Sequence, residues 1–98
     1  MITLKILAPL GRVLKLTENY YEALTYQAPF TPGVNIDDLI SWLARGHVEF
    51  KRSLSQSNDV VVQEMIISVN GRILSYAERK LPLADESAVE FIVPYTGG

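Results

Sequence analysis

The residues with the clearest chemical potential are Gly97 and Gly98, which offer a terminal carboxylate on a segment without side chains. Glycine is roughly 7% of average composition, so a terminal pair arises by chance in about one chain in two hundred. Terminal glycines are also common in frayed chain ends. The pair alone is therefore a weak indication of function. It gains weight only if a folded domain presents it on a strand.

Other reactive groups are scarce in this sequence. The 98 residues contain no cysteine, which excludes disulfides, thiolate metal sites and thiol nucleophiles. His47 is the only histidine, and a surface or helix-end position accounts for it. Asp37 and Asp38 are adjacent on a helical pattern and point to different sides, so they complement the helix dipole better than they pair as acid and base. We therefore expect no side chain of this protein to act as a catalyst.

Length and charge bound the class of protein. A chain of 98 residues with 48% hydrophobic residues fits one folded domain. The formal charge of −2 gives no electrostatic footprint for nucleic acid or for an anionic membrane. No window approaches the roughly 18 apolar residues of a membrane span, and the first residues carry Lys5 within an alternating pattern instead of a signal peptide. A cytoplasmic domain is expected.

Alternating apolar residues predict strands at both ends of the chain. The first covers 2–6, and a hairpin partner is expected over 22–28. A third strand at 65–69 runs into Asn70-Gly71, a strong signal for a tight turn, after which Ile73 and Leu74 open a short return strand. A turn at 84–87 precedes the last strand, 89–93. The richest runs are the first and the last, so we expect both to be central in the sheet.

The only complete helix pattern lies between the two groups of strands. Asn35 is a plausible N-cap, and Arg45 and Gly46 supply a last-turn cation and a left-handed residue after the end. Trp42 lies off the apolar stripe and is interpreted as packing against the connection 47–63, with a partner contact as the alternative. We interpret that connection as partly ordered with a mobile polar centre. The stripe consists of Ile36, Leu39, Ile40, Leu43 and Ala44.

The order β-β-α-β-β-β indicates an α+β domain of the β-grasp (ubiquitin-like) type, a mixed sheet of four to five strands packed on one main helix. The domain is expected over 1–93, with a flexible Gly-Gly tail over 94–98. If Met65, Ile67 and Val69 face the helix, then Ile66 and Ser68 point outward. The same argument for Val89 and Phe91 turns Glu90 and Ile92 outward. Ile66 and Ile92 would then be exposed apolar residues near the tail. They are either ordinary surface residues or a site for docking a partner.

The last eighteen residues resemble the end of the MoaD/ThiS sulfur-carrier family. Leu81-Pro82-Leu83, an acidic turn, Val89-Glu90-Phe91 and a final Gly97-Gly98 follow the family's pattern "P-L, acidic turn, V-x-F-x-P-P, small residue, G-G". Val69-Asn70-Gly71 matches its V-N-G turn, and residues 2–6 match its first strand. Ala84-Asp85-Glu86-Ser87 replaces the usual D-G-D, Val93 replaces the first proline, and Tyr95 replaces a small residue. The helix pattern Ile-x-x-Leu-Ile-x-Trp is also similar to the eukaryotic ubiquitin-related modifier.

The resemblance implies a mechanism and a set of partners. The carboxylate of Gly98 would be adenylated by an activating enzyme resembling the ubiquitin-activating enzyme and converted to a thiocarboxylate, with Gly97, Thr96 and Tyr95 as its tether. No cofactor would be stably bound, and the activating enzyme would use ATP. The sulfur would pass to a synthase of the molybdopterin or thiazole type. The alternatives are a ubiquitin-like modifier joined to lysines through Gly98, and a β-grasp interaction domain with an inert tail.

Overall fold

The computed structural model describes residues 1–55 and 64–93, with side chains for 1–52 and 64–93. The last part of the expected connection, 56–63, and the expected tail, 94–98, lie outside these residues. The strands are β1 Ile2–Ile6, β2 Leu24–Ala28, β3 Ile66–Val69, β4 Arg72–Ile73 and β5 Ala88–Ile92. The helices are α1 Leu10–Val13, α2 Ile36–Arg45 and α3 Val48–Ser55, and Ala77–Lys80 forms a 3₁₀ turn.

The five strands form one mixed sheet in the order β2-β1-β5-β3-β4. β1 and β5 are parallel neighbours inside the sheet, and every other pair is antiparallel. The prediction that the first and last strands are both inner strands is confirmed. Their inward side chains explain this position, because the register places Leu4 beside Val89 and Ile6 beside Phe91, all almost fully buried. Removing such side chains from water is the main favourable contribution to folding.

Helix α2 covers the inner face of the sheet, and its start follows the expected chemistry. The side chain of Asn35 accepts a hydrogen bond from the Asp38 N–H (2.9 Å), and the Asp38 carboxylate accepts one from the Asn35 N–H (3.0 Å). This reciprocal arrangement is a capping box. The predicted apolar stripe is confirmed, since all of its members are buried: Ile36, Leu39, Ile40, Leu43 and Ala44.

The predicted end of α2 is wrong in one respect. Gly46 has φ −92° and ψ −4°, which lies in the right-handed region and not in the left-handed one. Only Gly46 and His47 separate α2 from α3, so the chain passes from one helix into the next through a very short junction. A left-handed residue serves to turn the chain away from the helix axis, and no such turn is made here.

The first half of the predicted connection is a helix, α3, which the sequence pattern did not indicate. Its start is fixed by Phe50, which is 1% exposed and belongs to the main hydrophobic core. On the opposite side, Val48 is 68% exposed, and Glu49 pairs with Arg52 (2.8 Å). One large apolar residue among polar neighbours gives too little periodicity to predict a helix.

Trp42 is partly buried, as expected, but its aromatic contact is with strand β2. The Trp42 and Tyr26 rings meet edge to face with their centroids 6.4 Å apart. Tyr26 is also contacted by His47, at 5.4 Å between ring centroids. The side chains of 53–63 lie outside the described residues, so the interpretation in which Trp42 packs against the connection stays a prediction. The Trp42 ring covers the junction between α2 and the sheet.

The turn between β3 and β4 is confirmed as a tight one. Asn70 and Gly71 both have positive φ, 51° and 85°, as a two-residue hairpin with the right strand twist requires. The Asn70 side chain has a second role, because its oxygen accepts a hydrogen bond from the Ala88 N–H (2.9 Å). The turn is thereby attached to the first residue of β5.

We predict that Gly71→Ala destabilises the protein by about 1–2 kcal/mol, because an L-residue is strained at positive φ. Gly46→Ala is the matched control, since its backbone is right-handed and its added Cβ meets only ordinary contacts. The control should be neutral or stabilise by about 0.4–1 kcal/mol. Urea unfolding monitored by circular dichroism measures both. Equal losses of stability in the two variants would contradict the assigned backbone conformations.

Candidate functional site

The residues predicted to carry the chemistry, Tyr95, Thr96, Gly97 and Gly98, lie outside the described residues, so their roles stay predictions. The structure does describe the strand that leads to them. β5 is bordered by β1 on one side and β3 on the other along its length. Near its end, the Phe91 carbonyl accepts a hydrogen bond from the Leu7 N–H (3.0 Å). The last strand before the tail is thus held from both sides at the centre of the sheet.

Ile66 and Ile92 are brought together by the register of β3 and β5. They lie directly opposite each other on the face that points away from α2, since their neighbours Ile67 and Phe91 are buried beneath that helix. Both side chains are partly buried instead of fully exposed. Ile92 is the penultimate described residue, so the pair lies at the end of the sheet where the chain continues toward Gly98.

A third apolar residue, Ile73, joins this face and was missed from the sequence. It is 64% exposed and pairs across the hairpin with Ser68. A two-residue turn at Asn70-Gly71 forces residues 68 and 73 to be partners, so the register implied by the turn would have placed Ile73 outward. Ile66, Ile73 and Ile92 are referred to below as the outer-face patch.

Ser68 is in the middle of the outer-face patch, and it is buried there although it lies on the outer face. Its side chain faces outward as expected but is only 5% exposed. The reason is size, because the hydroxymethyl group lies between the longer side chains of Ile73 and Glu90 on the neighbouring strands. A small residue at this position leaves a shallow floor between the isoleucines.

The remaining half of the outer face is polar. On β1 and β2 it presents Thr3, Lys5, Thr25 and Gln27, and the Thr3 hydroxyl donates to the Gln27 side-chain oxygen (3.3 Å). Lys5 lies beside Glu90 in the β1–β5 register. The apolar area is therefore confined to the β3–β5 half, with charged residues along its border. Such a rimmed patch is typical of a site for protein contact.

Arg79 supports the sheet where β3 begins, and nothing in the sequence pattern predicted it. The residue is 7% exposed, and its guanidinium donates to the Met65 carbonyl (2.6 Å) and lies 5.2 Å from the centre of the Tyr76 ring. Burial lowers the pKa of Arg79 from its ordinary value, because the interior disfavours the charged form. Met65 immediately precedes Ile66, so the hydrogen bond from Arg79 fixes the start of β3, the strand that carries Ile66.

The β3–β4 hairpin is held by an ion pair that is more exposed than Arg79. Glu78 accepts a hydrogen bond from the Ser75 N–H (2.8 Å) and pairs with Arg72 (2.8 Å). These two partners lower the pKa of the Glu78 carboxyl, and the Ser75 N–H contributes most.

On the other side of the molecule, the pKa of the Tyr26 phenol is raised, first by burial and second by the charge of Glu22. Glu78 and Tyr26 both have structural roles and are not arranged for acid–base catalysis.

The described part of the chain contains no group of three or more histidine, aspartate or glutamate side chains placed to hold a metal ion. Within the same residues, no helix has the length and apolar character needed to cross a membrane. His47 packs on Tyr26, which accounts for its position. Among the described residues, the arrangement with functional potential is therefore a surface beside the end of a central strand.

Solved structures of other proteins share this architecture. No family model matches the chain, and no curated protein matches it. A solved structure assigned as molybdopterin converting factor, subunit 1, from Pyrococcus furiosus is 20% identical, with a TM-score of 0.56, covering 96% of this chain and 97% of its own. The chain has a ubiquitin-like β-grasp fold. SAMP1 from Haloferax volcanii shares this β-grasp at 15% identity, with a TM-score of 0.62, and the match covers 99% and 98% of the two chains.

Proposed function

We propose that this protein is a sulfur carrier and that the carboxylate of Gly98 is the group that reacts. One observation carries the proposal: a Gly-Gly pair follows the central strand of a β-grasp domain, a few residues after Ile92. The similarity to a protein assigned as molybdopterin converting factor, subunit 1, over nearly the full length of both chains supports it. The partners proposed are an adenylating enzyme and a sulfur-accepting synthase of the molybdopterin or thiazole type, in the cytoplasm.

The proposed chemistry gives the carboxylate of Gly98 a good leaving group. A carboxylate resists attack because oxide is a poor leaving group. In the activating enzyme, an oxygen of Gly98 would attack the α-phosphorus of ATP and release pyrophosphate, leaving an acyl-adenylate. Hydrosulfide, the sulfur donor at the oxidation level of the product, would then attack the carbonyl carbon as the bond to AMP breaks, and its proton would pass to solvent. The product is a thiocarboxylate, and no side chain of this protein needs to act as acid, base or nucleophile.

The residue types at the end of the chain suit this use. A carboxylate that reacts inside another protein must reach a site from which bulk solvent is excluded. Gly97 and Gly98 have no Cβ, so they fit a narrow channel and adopt backbone angles closed to other residues. Thr96 and Tyr95 complete the tether in this proposal. Because β5 is held by β1 and β3, the tether starts from a fixed point on the domain.

The outer-face patch is the proposed docking surface for the activating enzyme. It combines apolar side chains, a shallow floor at Ser68 and a position beside the end of β5. Burying an isoleucine at a protein interface contributes on the order of 1–2 kcal/mol. Contacts of this kind align the tail with the catalytic site of the partner.

We predict that Ile92→Thr raises the KM of the activating enzyme for this protein about tenfold, because it replaces an apolar contact with a hydroxyl while keeping a β-branched side chain. Val48→Thr is the matched control, since Val48 is exposed on α3 in the helical layer. ATP–pyrophosphate exchange, stimulated by increasing concentrations of each variant, gives the KM values. A tenfold effect of the control, or none for Ile92→Thr, would reject the patch as the docking surface.

The same exchange assay tests the proposed function at its first step. Wild-type protein should stimulate the exchange of labelled pyrophosphate into ATP by its cognate activating enzyme. The stimulation should disappear when the carboxylate is blocked as an amide, because no adenylate can then form. Stimulation by the amidated protein would contradict adenylation at Gly98.

A further inference from the structure

Strand β2 is an edge of the sheet, and the direction of its free backbone groups follows from β1. The N–H groups of Thr3 and Leu7 donate toward β5, to Ser87 and Phe91, each at 3.0 Å. Backbone groups of successive strand residues point to alternate sides. The residues of β1 adjacent to Thr3 in the chain therefore direct their groups toward β2.

Leu4 is one of these residues, and the register places it opposite Tyr26. Tyr26 thus uses its N–H and carbonyl in the ladder with β1. Thr25 and Gln27, on either side of it, direct theirs to the open edge. Among the described residues, no backbone hydrogen bond occupies that edge. Such an edge can accept one more strand.

The space beside this edge has an aromatic wall, formed by Tyr26, Trp42 and His47 and called below the aromatic cluster. Trp42 lies between two open clefts, of about 420 Å³ and about 340 Å³. The larger is bordered by the loop that joins β2 to α2, and the smaller by the end of α2. An extended chain added to β2 would direct alternate side chains toward this wall.

The charge of the clefts selects the kind of chain that fits. Arg45 borders both clefts, is exposed, and has no ion-pair partner among the residues that the structure describes. The one acidic residue of the larger cleft is Asp38, whose carboxylate is already bonded to the Asn35 N–H. A partner carboxylate would therefore meet a cation with no competing anion bonded to it.

We propose that the β2 edge binds an extended, acidic segment of a partner protein. The segment pairs with the backbone of Thr25 and Gln27, lays apolar side chains on the aromatic cluster and presents a carboxylate to Arg45. This goes beyond sulfur carriage and does not depend on Gly98. The outer-face patch lies on β3, β4 and β5, at the other side of the sheet, so both surfaces can be occupied together. The domain would then hold a second protein while its tail is activated.

The test uses the full chain and the synthetic peptide acetyl-Asp-Glu-Val-Thr-Ile-Thr-Val-Asp-amide. Trp42 is the only tryptophan, and the peptide has no aromatic residue, so indole fluorescence reports binding at the aromatic cluster. We expect a saturable change with a Kd below about 1 mM. Amide chemical shifts of Thr25 and Gln27 should move with the same Kd, while those of Ile66 and Ile92 stay unchanged. No saturation by about 1 mM, or shifts confined to the outer-face patch, would overturn the proposal.

Two variants separate backbone pairing from side-chain contact. Thr25→Pro removes an N–H that points to the open edge but none that bonds β1, so the strand should survive and binding should fall about tenfold or more. Thr25→Ala keeps the N–H and should bind like wild type. Arg45→Glu should weaken the acidic peptide about fivefold and favour a version with lysine at the acidic positions.

Unaltered binding by a folded Thr25→Pro variant, or by Arg45→Glu, would overturn the assignment. If Thr25→Pro does not fold, the shift pattern of the wild-type protein decides alone. Sedimentation provides a further outcome: a dimer that Thr25→Ala retains, that a folded Thr25→Pro variant loses and that the peptide cannot dissociate would show that a second copy of this chain occupies the edge, which also contradicts the proposal.

Discussion

Removal of Gly98 is expected to lower the rate of thiocarboxylate formation by more than about 10³-fold, with no change in thermal stability. The shortened chain still ends in a carboxylate, on Gly97, but that group falls about 3.5 Å short of its position. A displacement of about 1 Å in a reacting group costs on the order of 10²-fold. Single-turnover assays with the activating enzyme measure the rate, and circular dichroism measures the melting temperature.

Thr96→Ser is the matched control for this deletion. It removes one methyl group, keeps the hydroxyl and leaves the length of the tail unchanged, so activation within about threefold of wild type is expected. A deletion variant that reacts at the wild-type rate would show that the position of the carboxylate is not what the activating enzyme recognises. A deletion variant that melts at a lower temperature would show that Gly98 contributes to the folded domain, contrary to the predicted boundary after Val93.

Phe50→Ala is expected to destabilise the domain by about 3–5 kcal/mol, the usual cost of emptying a buried phenylalanine site. Phe50 is 1% exposed and is among the largest side chains of the core. For a domain of this size the loss lowers the melting temperature by at least about 12 °C. Since typical domains are stable by only about 5–15 kcal/mol, this variant is near the limit of folding.

Val48→Ala, in the same helix, isolates the contribution of burial. Val48 is 68% exposed, and alanine is the better helix former, so a change within about 0.5 kcal/mol is expected. Urea unfolding of the two variants gives the difference directly. A loss below about 1 kcal/mol for Phe50→Ala would mean that α3 is not part of the core, and the correction to the predicted connection would then fail.

The parts of the fold that the sequence predicted are those where several local signals agree. Helix α2 has a cap at Asn35, an apolar stripe and a terminal cation, and each was found in place. The β3–β4 turn was predicted because few pairs besides Asn70-Gly71 accept two positive φ values. The inner positions of β1 and β5 followed from unbroken alternation of apolar residues.

The parts that were missed depend on contacts between distant residues. Phe50 reaches the core only because α3 begins two residues after α2, and Gly46 stays right-handed within that short junction. Ser68 is covered by its neighbours on two other strands, which no local pattern reveals. Arg79 is buried against Met65, fourteen residues away, although charged residues are rarely buried.

The candidate site was predicted only where a local pattern was enough to place its residues. Alternation placed Ile66 and Ile92 on the outer face, and the register brought them opposite each other. Ile73 required the hairpin register, and the open edge of β2 required the order of all five strands. The roles of Gly97 and Gly98 are matters of chemistry with a partner, which only a reaction can test.

The most direct test of the sulfur-carrier proposal is the intact mass of the protein after incubation with its activating enzyme, ATP and a sulfur donor. We expect a mass increase equal to the replacement of one oxygen by sulfur, located at Gly98 by fragmentation and absent without ATP. Gly-Gly remnants on lysines of other proteins, with no thiocarboxylate, would assign the chain as a modifier instead. An unmodified carboxylate with every adenylating enzyme of the same cell would contradict the account.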